Sequence, residues 1–195
     1  MTSTRRIGTA DSESRTRLLD AAERLLLRDG YAAVTSRKVA AEADLKHQLV
    51  HYYFRTMDDL FLAVFRRRAE ERLARFAEDV ADDPSLRTVW AFTGDPRGAA
   101  FTVEFAALAN HRKAIRAEVA EWAERFRAAQ LTALRAALDG TGVDPERWPP
   151  MVVLMGLTGT AQLLALDASL GVTTGHADTV AFVEELLGRI TAGAH

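Results

Sequence analysis

Apolar residues recur along this chain at helical spacing, and turn and capping residues separate the runs. Leu18, Leu19, Ala22, Leu25 and Leu26 follow i, i+1, i+4, i+7, i+8, and Gly30 then supplies a stop. Leu60, Phe61, Val64 and Phe65 repeat the pattern after Thr56, which with Asp59 has the spacing of a capping box. Three prolines follow an aspartate, at Asp83-Pro84, Asp95-Pro96 and Asp144-Pro145, a pairing that suits an N-cap and a first helical position. Pro149 and Pro150 precede a further apolar run from Met151. There is no sustained period-two alternation with hairpin turns. The pattern predicts an all-α protein of about nine helices, at 13–29, 36–43, 47–53, 57–80, 84–92, 96–109, 112–139, 146–171 and 175–191.

Two of these helices are short and lie close together. Thr35 is placed to cap the first, whose Val39, Ala40 and Ala43 face inward. Asp44, Leu45 and Lys46 form a three-residue turn, and the second helix buries Val50, Tyr53 and Phe54. Two short helices joined by a tight turn, after an amphipathic helix that supports both, predict a helix-turn-helix. Ala40 suits the crossing, where a larger side chain would separate the helices.

A reading helix keeps one face for the core and turns the other toward base edges and phosphates. Removing the core positions leaves Lys46, His47, Gln48, Leu49, His51 and Tyr52. A glutamine can pair bidentately with adenine, and a leucine can pack on a thymine methyl. His47, His51 and Tyr52 can donate to phosphates. So can Arg37 and Lys38 on the preceding helix, and Thr35 and Ser36 join the expected DNA contacts at its start. A solvated polar face on an ordinary three-helix corner is the alternative.

Charge adds to the DNA reading. The chain of 195 residues has a net charge of −2, yet thirteen Lys or Arg stand against nine Asp or Glu through Arg68, while the remainder carries twelve against eighteen. Only the N-terminal part is then a plausible partner for phosphate. There is no cysteine, which excludes disulfides, thiolate zinc sites and cysteine nucleophiles. Met1 to Asp11 is polar, with Arg5 and Arg6 but no apolar stretch of a signal peptide. Met151 to Leu166 is interrupted by Thr158, Thr160 and Gln162 and falls short of a membrane span. A cytoplasmic protein without a membrane partner is expected.

The segment from about residue 14 to 66 resembles the N-terminal domain of the tetracycline-repressor (TetR) family. Members have a capped helix, an Ala-Gly-Val-Ser-type turn, and a recognition helix ending Tyr-x-Tyr-Phe or His-Tyr-Phe. The corresponding positions here are Ala43, Asp44, Leu45 and Lys46, then His51, Tyr52, Tyr53 and Phe54, followed by Asp58, Asp59 and Leu60. Asp44 replaces the usual turn glycine, and Asp tolerates a left-handed conformation better than most residues. Gln48 and Leu49 replace the usual small pair, which puts in doubt the operator sequence but not the role.

The resemblance implies three segments: a flexible arm at 1–12, the helix-turn-helix at 13–56, and a ligand-binding and dimerisation domain at 57–195. Arg5 and Arg6 in the arm would reach the minor groove, or belong to a plain tail. It implies a homodimer on double-stranded operator DNA, most commonly a repressor released by a small-molecule effector. The sequence supports dimerisation, because Met151 to Leu170 is apolar around its whole circumference. Gly156, Gly159, Leu163 and Leu170 on that helix, with Val183 and Leu187 on the last, are the expected contacts. The effector would lie among Trp90, Phe101, Phe105, Trp122, Phe126 and Met155, with Asn110 and Gln130 to orient it. These aromatics favour an apolar or amphipathic effector, although for each one core packing is the commoner role of a large aromatic in a helical protein.

An enzyme is disfavoured. No Gly-x-Ser-x-Gly elbow, phosphate-binding loop, dinucleotide glycine fingerprint or His-Glu-x-x-His occurs, and no cofactor is expected. His47 and His51 could ligate a metal, but Asp44 is their one neighbouring carboxylate in sequence. A helical ligand-binding or interaction protein without DNA regulation is the remaining alternative.

Overall fold

The computed structural model describes residues 4–139 and 141–191, apart from the side chains of residues 4–11, 96, 97 and 191. The described residues form nine α-helices and one 3-10 turn, with no strand. In order they are α1 (Thr4–Asp29), the 3-10 turn (Tyr31–Ala33), α2 (Ser36–Glu42), α3 (His47–Tyr53), α4 (Met57–Asp82), α5 (Leu86–Thr93), α6 (Pro96–His111), α7 (Lys113–Leu138), α8 (Pro150–Ser169) and α9 (His176–Thr191). The all-α class, with an N-terminal helix-turn-helix ahead of further helices, is as expected.

Most boundaries fall where the punctuation predicts, and the exceptions have local causes. α1 is longer at its start than 13–29 because its apolar stripe, the sequence signal, begins only at Leu18. The side chains of Arg5 and Arg6 lie outside the described residues, as do residues 1–3 of the expected arm, whereas residues 4–12 form the first turns of α1 in place of a flexible segment. α5 starts two residues late because Ser85, not Asp83, is its N-cap: Ser85 Oγ accepts from the Thr88 amide at 3.2 Å. Asp83 instead accepts from the Ser85 and Thr88 hydroxyls, which hold its carboxyl below the usual range, Thr88 foremost. α8 starts at Pro150, not 146. Asp144 closes a single turn, accepting from the amides of Glu146 and Trp148 at 2.9 Å, and the adjacent prolines stop its continuation.

Two compact units result. The first comprises residues 1–70 with 104–120, the second residues 71–103 with 121–195. In the first, Leu18, Leu19, Ala22, Leu25 and Leu26 of α1 are all buried, as are Val39, Ala40 and Ala43, Val50 and Phe54, and Leu60, Phe61, Val64 and Phe65. Phe105 of α6 is fully buried against Phe65, their ring centroids 5.0 Å apart. Charged pairs surround this core. Arg67 of α4 reaches Asp20 and Glu23 of α1 at 2.6 and 2.9 Å, and Arg66 grips Glu118 of α7 through two nitrogens. Glu104 of α6 accepts from the Tyr31 amide at 2.9 Å, just after the α1–α2 corner.

The α1–α2 contact is fastened by Arg24 and Arg28, which both reach Glu42. The hydrogen bond from Arg24, then the charge of Arg28, hold the Glu42 carboxyl below its usual range. A depressed carboxyl contributes stability that is complete above its unfolded value and is lost as pH falls through the folded one. Acid titration therefore loosens this corner below the ordinary carboxylate range. The contribution is small, because Glu42 is solvent-screened.

In the second unit α5 packs on α8 and α9. The core there joins Phe76, Leu86, Val89, Trp90, Phe92, Leu134, Leu154, Leu157, Val183, Leu187 and Ile190. α8 is long and apolar enough to cross a membrane by length and composition, with mean hydropathy 1.5, which corrects the expectation that it falls short. Its Leu154, Leu157 and Ala161 are nevertheless committed to this core. Val153 and Leu164 pack partly against it, while Met151, Val152, Met155, Leu163 and Leu166 are exposed.

Candidate nucleic-acid interface

Thr35 caps α2 by accepting from the Lys38 amide at 3.3 Å. α2 then buries Val39 and Ala40 and ends at Ala43. The chain reverses at Asp44, whose φ of 51° makes it the one non-glycine residue with positive φ among those described. The expected left-handed turn is present. It is fixed from outside by Arg17 of α1, which donates to the carbonyls of Ala43 and Asp44 at 2.6 and 3.3 Å. Sequence reasoning missed Arg17, because nothing in its spacing separates it from the other exposed arginines of α1. Asp44→Val should destabilise the first unit by about 1–2 kcal/mol, since a β-branched residue is strained at positive φ. Asp44→Gly should be neutral or slightly stabilising. Chemical denaturation of the two variants checks the sign.

α3 buries Val50, and Phe54 closes it into the core; Tyr53 is half-buried. The opposite face is open. Lys46, His47, Gln48, His51 and Tyr52 are exposed, Tyr52 by 70%, and Leu49 is half-buried. His47 Nε2 lies 3.0 Å from the hydroxyl of Ser36, so the first residue of α2 orients the first residue of α3. His47 and His51 stand edge to face at 4.8 Å, one turn apart, and Tyr52 packs edge-on against Tyr53. Arg37 and Lys38 are exposed at the start of α2 beside them. The structure thus brings the expected DNA residues to one corner, with Leu49 the least available. Among the described residues no group of three or more His, Asp or Glu could hold a metal ion.

Apart from Asp44, which is exposed in the turn, the carboxylates around this corner are occupied elsewhere. Glu42 is held by Arg24 and Arg28, and Asp29 by Arg28. Asp58 pairs with Arg112, whose guanidinium also lies over the Phe61 ring. Asp59 is engaged with Thr56 in the reciprocal capping box that opens α4: the Thr56 amide donates to Asp59 at 3.0 Å and the Asp59 amide to Thr56 at 3.1 Å. The charge of these four carboxylates is therefore offset by their partners, which favours approach to phosphate.

The expected effector residues divide. Phe105 and Asn110 fall in the first unit, where Phe105 is packed against Phe65 and Asn110 is exposed. Trp90, Phe101, Trp122, Phe126, Gln130 and Met155 fall in the second. There Trp90 belongs to the core, with Phe126 packed against it. Gln130 is buried and donates to Thr93 Oγ1 at 3.4 Å, while Thr93 donates to the Val89 carbonyl. Phe101 and Trp122 are buried, and Arg125 lies 4.0 Å from the Trp122 ring centre. Met155 faces outward on α8 and leaves the expected set.

The expected subunit contacts divide as well. Gly156, Gly159, Leu163 and Leu170 are exposed, and a Cβ added at either glycine would meet nothing within 4 Å. Val183 and Leu187 are buried in the chain's own core, so they cannot face a partner; Phe182, 64% exposed, and Val180 occupy the outer side of α9 instead. The stripe through Val180, Val183 and Leu187 is the inner face for its last two members because α5 packs there.

Comparison with known proteins agrees with this geometry. Residues 18–64 match the family model described as bacterial regulatory proteins, tetR family. A solved TetR-family member from Streptomyces coelicolor is 31% identical, covering 91% of this chain and 98% of its own, with a TM-score of 0.62. The multidrug binding protein EbrR, complexed with imidazole, is 30% identical over 90% of this chain and 93% of its own, with a TM-score of 0.60. A regulator from Saccharomonospora viridis in complex with choline shares the fold at a TM-score of 0.72 and 19% identity, covering 82% of this chain and 87% of its own. Among curated proteins the sequence finds no match. The chain belongs to the TetR family of bacterial transcriptional regulators.

Proposed function

We propose that this regulator is a cytoplasmic repressor that binds a near-palindromic operator as a homodimer and is released by a small apolar or amphipathic effector. The observation that carries the DNA role is the reading face of α3. Lys46, His47, Gln48, His51 and Tyr52 stand exposed on a helix whose other side is anchored by buried Val50. In functional terms the helix-turn-helix spans 13–56 and the effector and dimerisation part 57–195. No enzymatic role is needed to account for these residues. The effector role draws support from EbrR, whose structure holds imidazole.

The dimer reading rests on α8. Met151, Val152, Met155, Leu163 and Leu166 all stand exposed on this one helix, and clustered exposed apolar side chains mark an interaction surface. Gly156 and Gly159 on the same helix allow a second backbone to approach closely. Leu163→Arg should convert the dimer to a monomer, read by light scattering with sedimentation. An unchanged dimer would move the interface elsewhere.

The coupling reading rests on α4, which runs unbroken from the first unit into the second. An effector changes operator affinity only by binding the two conformations with different affinity. A mobility shift on the DNA upstream of the chain's own gene, over a salt series, tests the function. Specific binding that weakens steeply with salt is the expected result. Binding no better than to random duplex would refute it.

A further inference from the structure

In the second unit three phenylalanines meet around a charge. Phe76, Phe92 and Phe126 have ring centroids 5.0 to 5.7 Å apart. The guanidinium of Arg72, on α4, lies over two of them, 4.8 Å from the Phe92 ring centre and 5.4 Å from that of Phe126. Its Nη1 is 3.8 Å from Asp95 Oδ2, and its side chain is only 20% exposed. A delocalised cation over aromatic faces is held by the ring quadrupoles, more strongly as water is excluded.

The surroundings make room for this charge at a cost. Gly98 stands in the first turn of α6, where a Cβ would come 1.3 Å from Arg72 Nη1, so no side chain fits while Arg72 is in place. A helical glycine costs about 1 kcal/mol relative to alanine. An apolar side chain at 72 would fill the same space without desolvating a charge. The chain has thus built an aromatic seat for a cation under a helix start, where Asp95 also accepts from the Gly98 amide at 3.1 Å. Phe92 and Asp95 also line an open cleft of about 410 Å³, whose wall carries Asp79, Asp82 and Arg75. The cleft leads a positive ligand toward two groups that already surround the guanidinium.

We propose that the Phe92–Phe126 seat is the charge-recognition element of the effector site, held by Arg72 in the free chain, and that its ligand is a planar, delocalised organic cation arriving along the acidic cleft. The ligand replaces the Arg72 guanidinium over the rings, and Asp95 remains within reach of the displaced arginine. Arg72 is then a built-in competitor that sets the affinity threshold: the seat's apparent affinity is reduced by the fraction of time Arg72 occupies it. This inference rests on the reading of the chain as ligand-responsive and narrows the effector from amphipathic to cationic.

Calorimetry on the full chain with phenylguanidine, a planar cation at neutral pH, against the neutral and nearly isosteric phenylurea tests it. Phenylguanidine is expected to bind about tenfold more tightly than phenylurea, the range of a partly desolvated cation–π contact. Arg72→Gln should tighten phenylguanidine further by a similar factor, and Phe126→Leu should abolish the preference while keeping apolar volume. If Arg72→Gln unfolds, Gly98→Ala gives the same reading, because the added methyl pushes Arg72 aside without removing its charge. Equal binding of the two probes, no binding by either, or no gain on freeing the seat would overturn the proposal. Operator binding, measured separately by mobility shift, would be untouched by that failure, so the two readings fail independently.

Discussion

Truncating Phe105 to alanine should lower the unfolding free energy by about 3–5 kcal/mol, the range for a large aromatic lost from a closed core. Phe105 has no exposed surface and packs its ring against Phe65. The first unit therefore keeps a cavity that its short helices cannot close. The neighbouring Glu104 fastens the same stretch of α6 to the Tyr31 amide, so loss of Phe105 should also loosen the α1–α2 corner. Phe105→Leu, which retains most of the volume, should cost much less. Urea denaturation, with hydrogen exchange at the Tyr31 amide, reads both effects. A loss below about 1 kcal/mol would mean that the ring is not part of a closed core. Such a result would reopen Phe105 as an effector contact.

The second large effect concerns the reading face. Gln48→Ala should weaken preferred operators by about 10–100-fold, the range of one bidentate base contact, and leave random DNA nearly unaffected. Lys46→Ala should weaken every duplex alike and reduce the salt slope by about one unit, because it removes one phosphate contact. Both side chains are exposed and neither supports the core, so folding should be unchanged. Equal losses on preferred and random DNA in both variants would reverse this division of roles.

How much of this was legible in sequence depended on whether the deciding contact was local. The α1 stripe, the Thr56–Asp59 box and the left-handed Asp44 are set within one or two turns, and each was expected where it is found. Where two local signals compete, the sequence does not rank them: Ser85 displaces Asp83 as the α5 cap, and Pro149 with Pro150 overrides the start suggested by Asp144. The reading face was visible because a seven-residue helix offers few ways to divide its sides.

Long-range facts were not legible. The two units cut through α4, α6 and α7, whose helical pattern runs on without a break. Apolar spacing identifies a buried stripe but does not say whether its partner is the same chain or another, which is why Val183 and Leu187 moved from the expected interface to the core. Arg72 looked like any charge on a long amphipathic helix. Only tertiary contact with Phe92, Phe126 and Gly98 distinguishes it. The composition hinted at an aromatic site, but not that the chain supplies its own cation.

In the function proposed above, α3 is the element that reads DNA sequence. Selection from a pool of random duplexes, run in parallel with the unaltered chain and with Gln48→Ala, tests it most directly. The unaltered chain should enrich a near-palindrome whose half-sites lie about one helical turn, or a multiple of it, apart. Gln48→Ala should lose the preference at one adenine-bearing position in each half-site. No enrichment by the unaltered chain, or the same motif enriched by both, would contradict it.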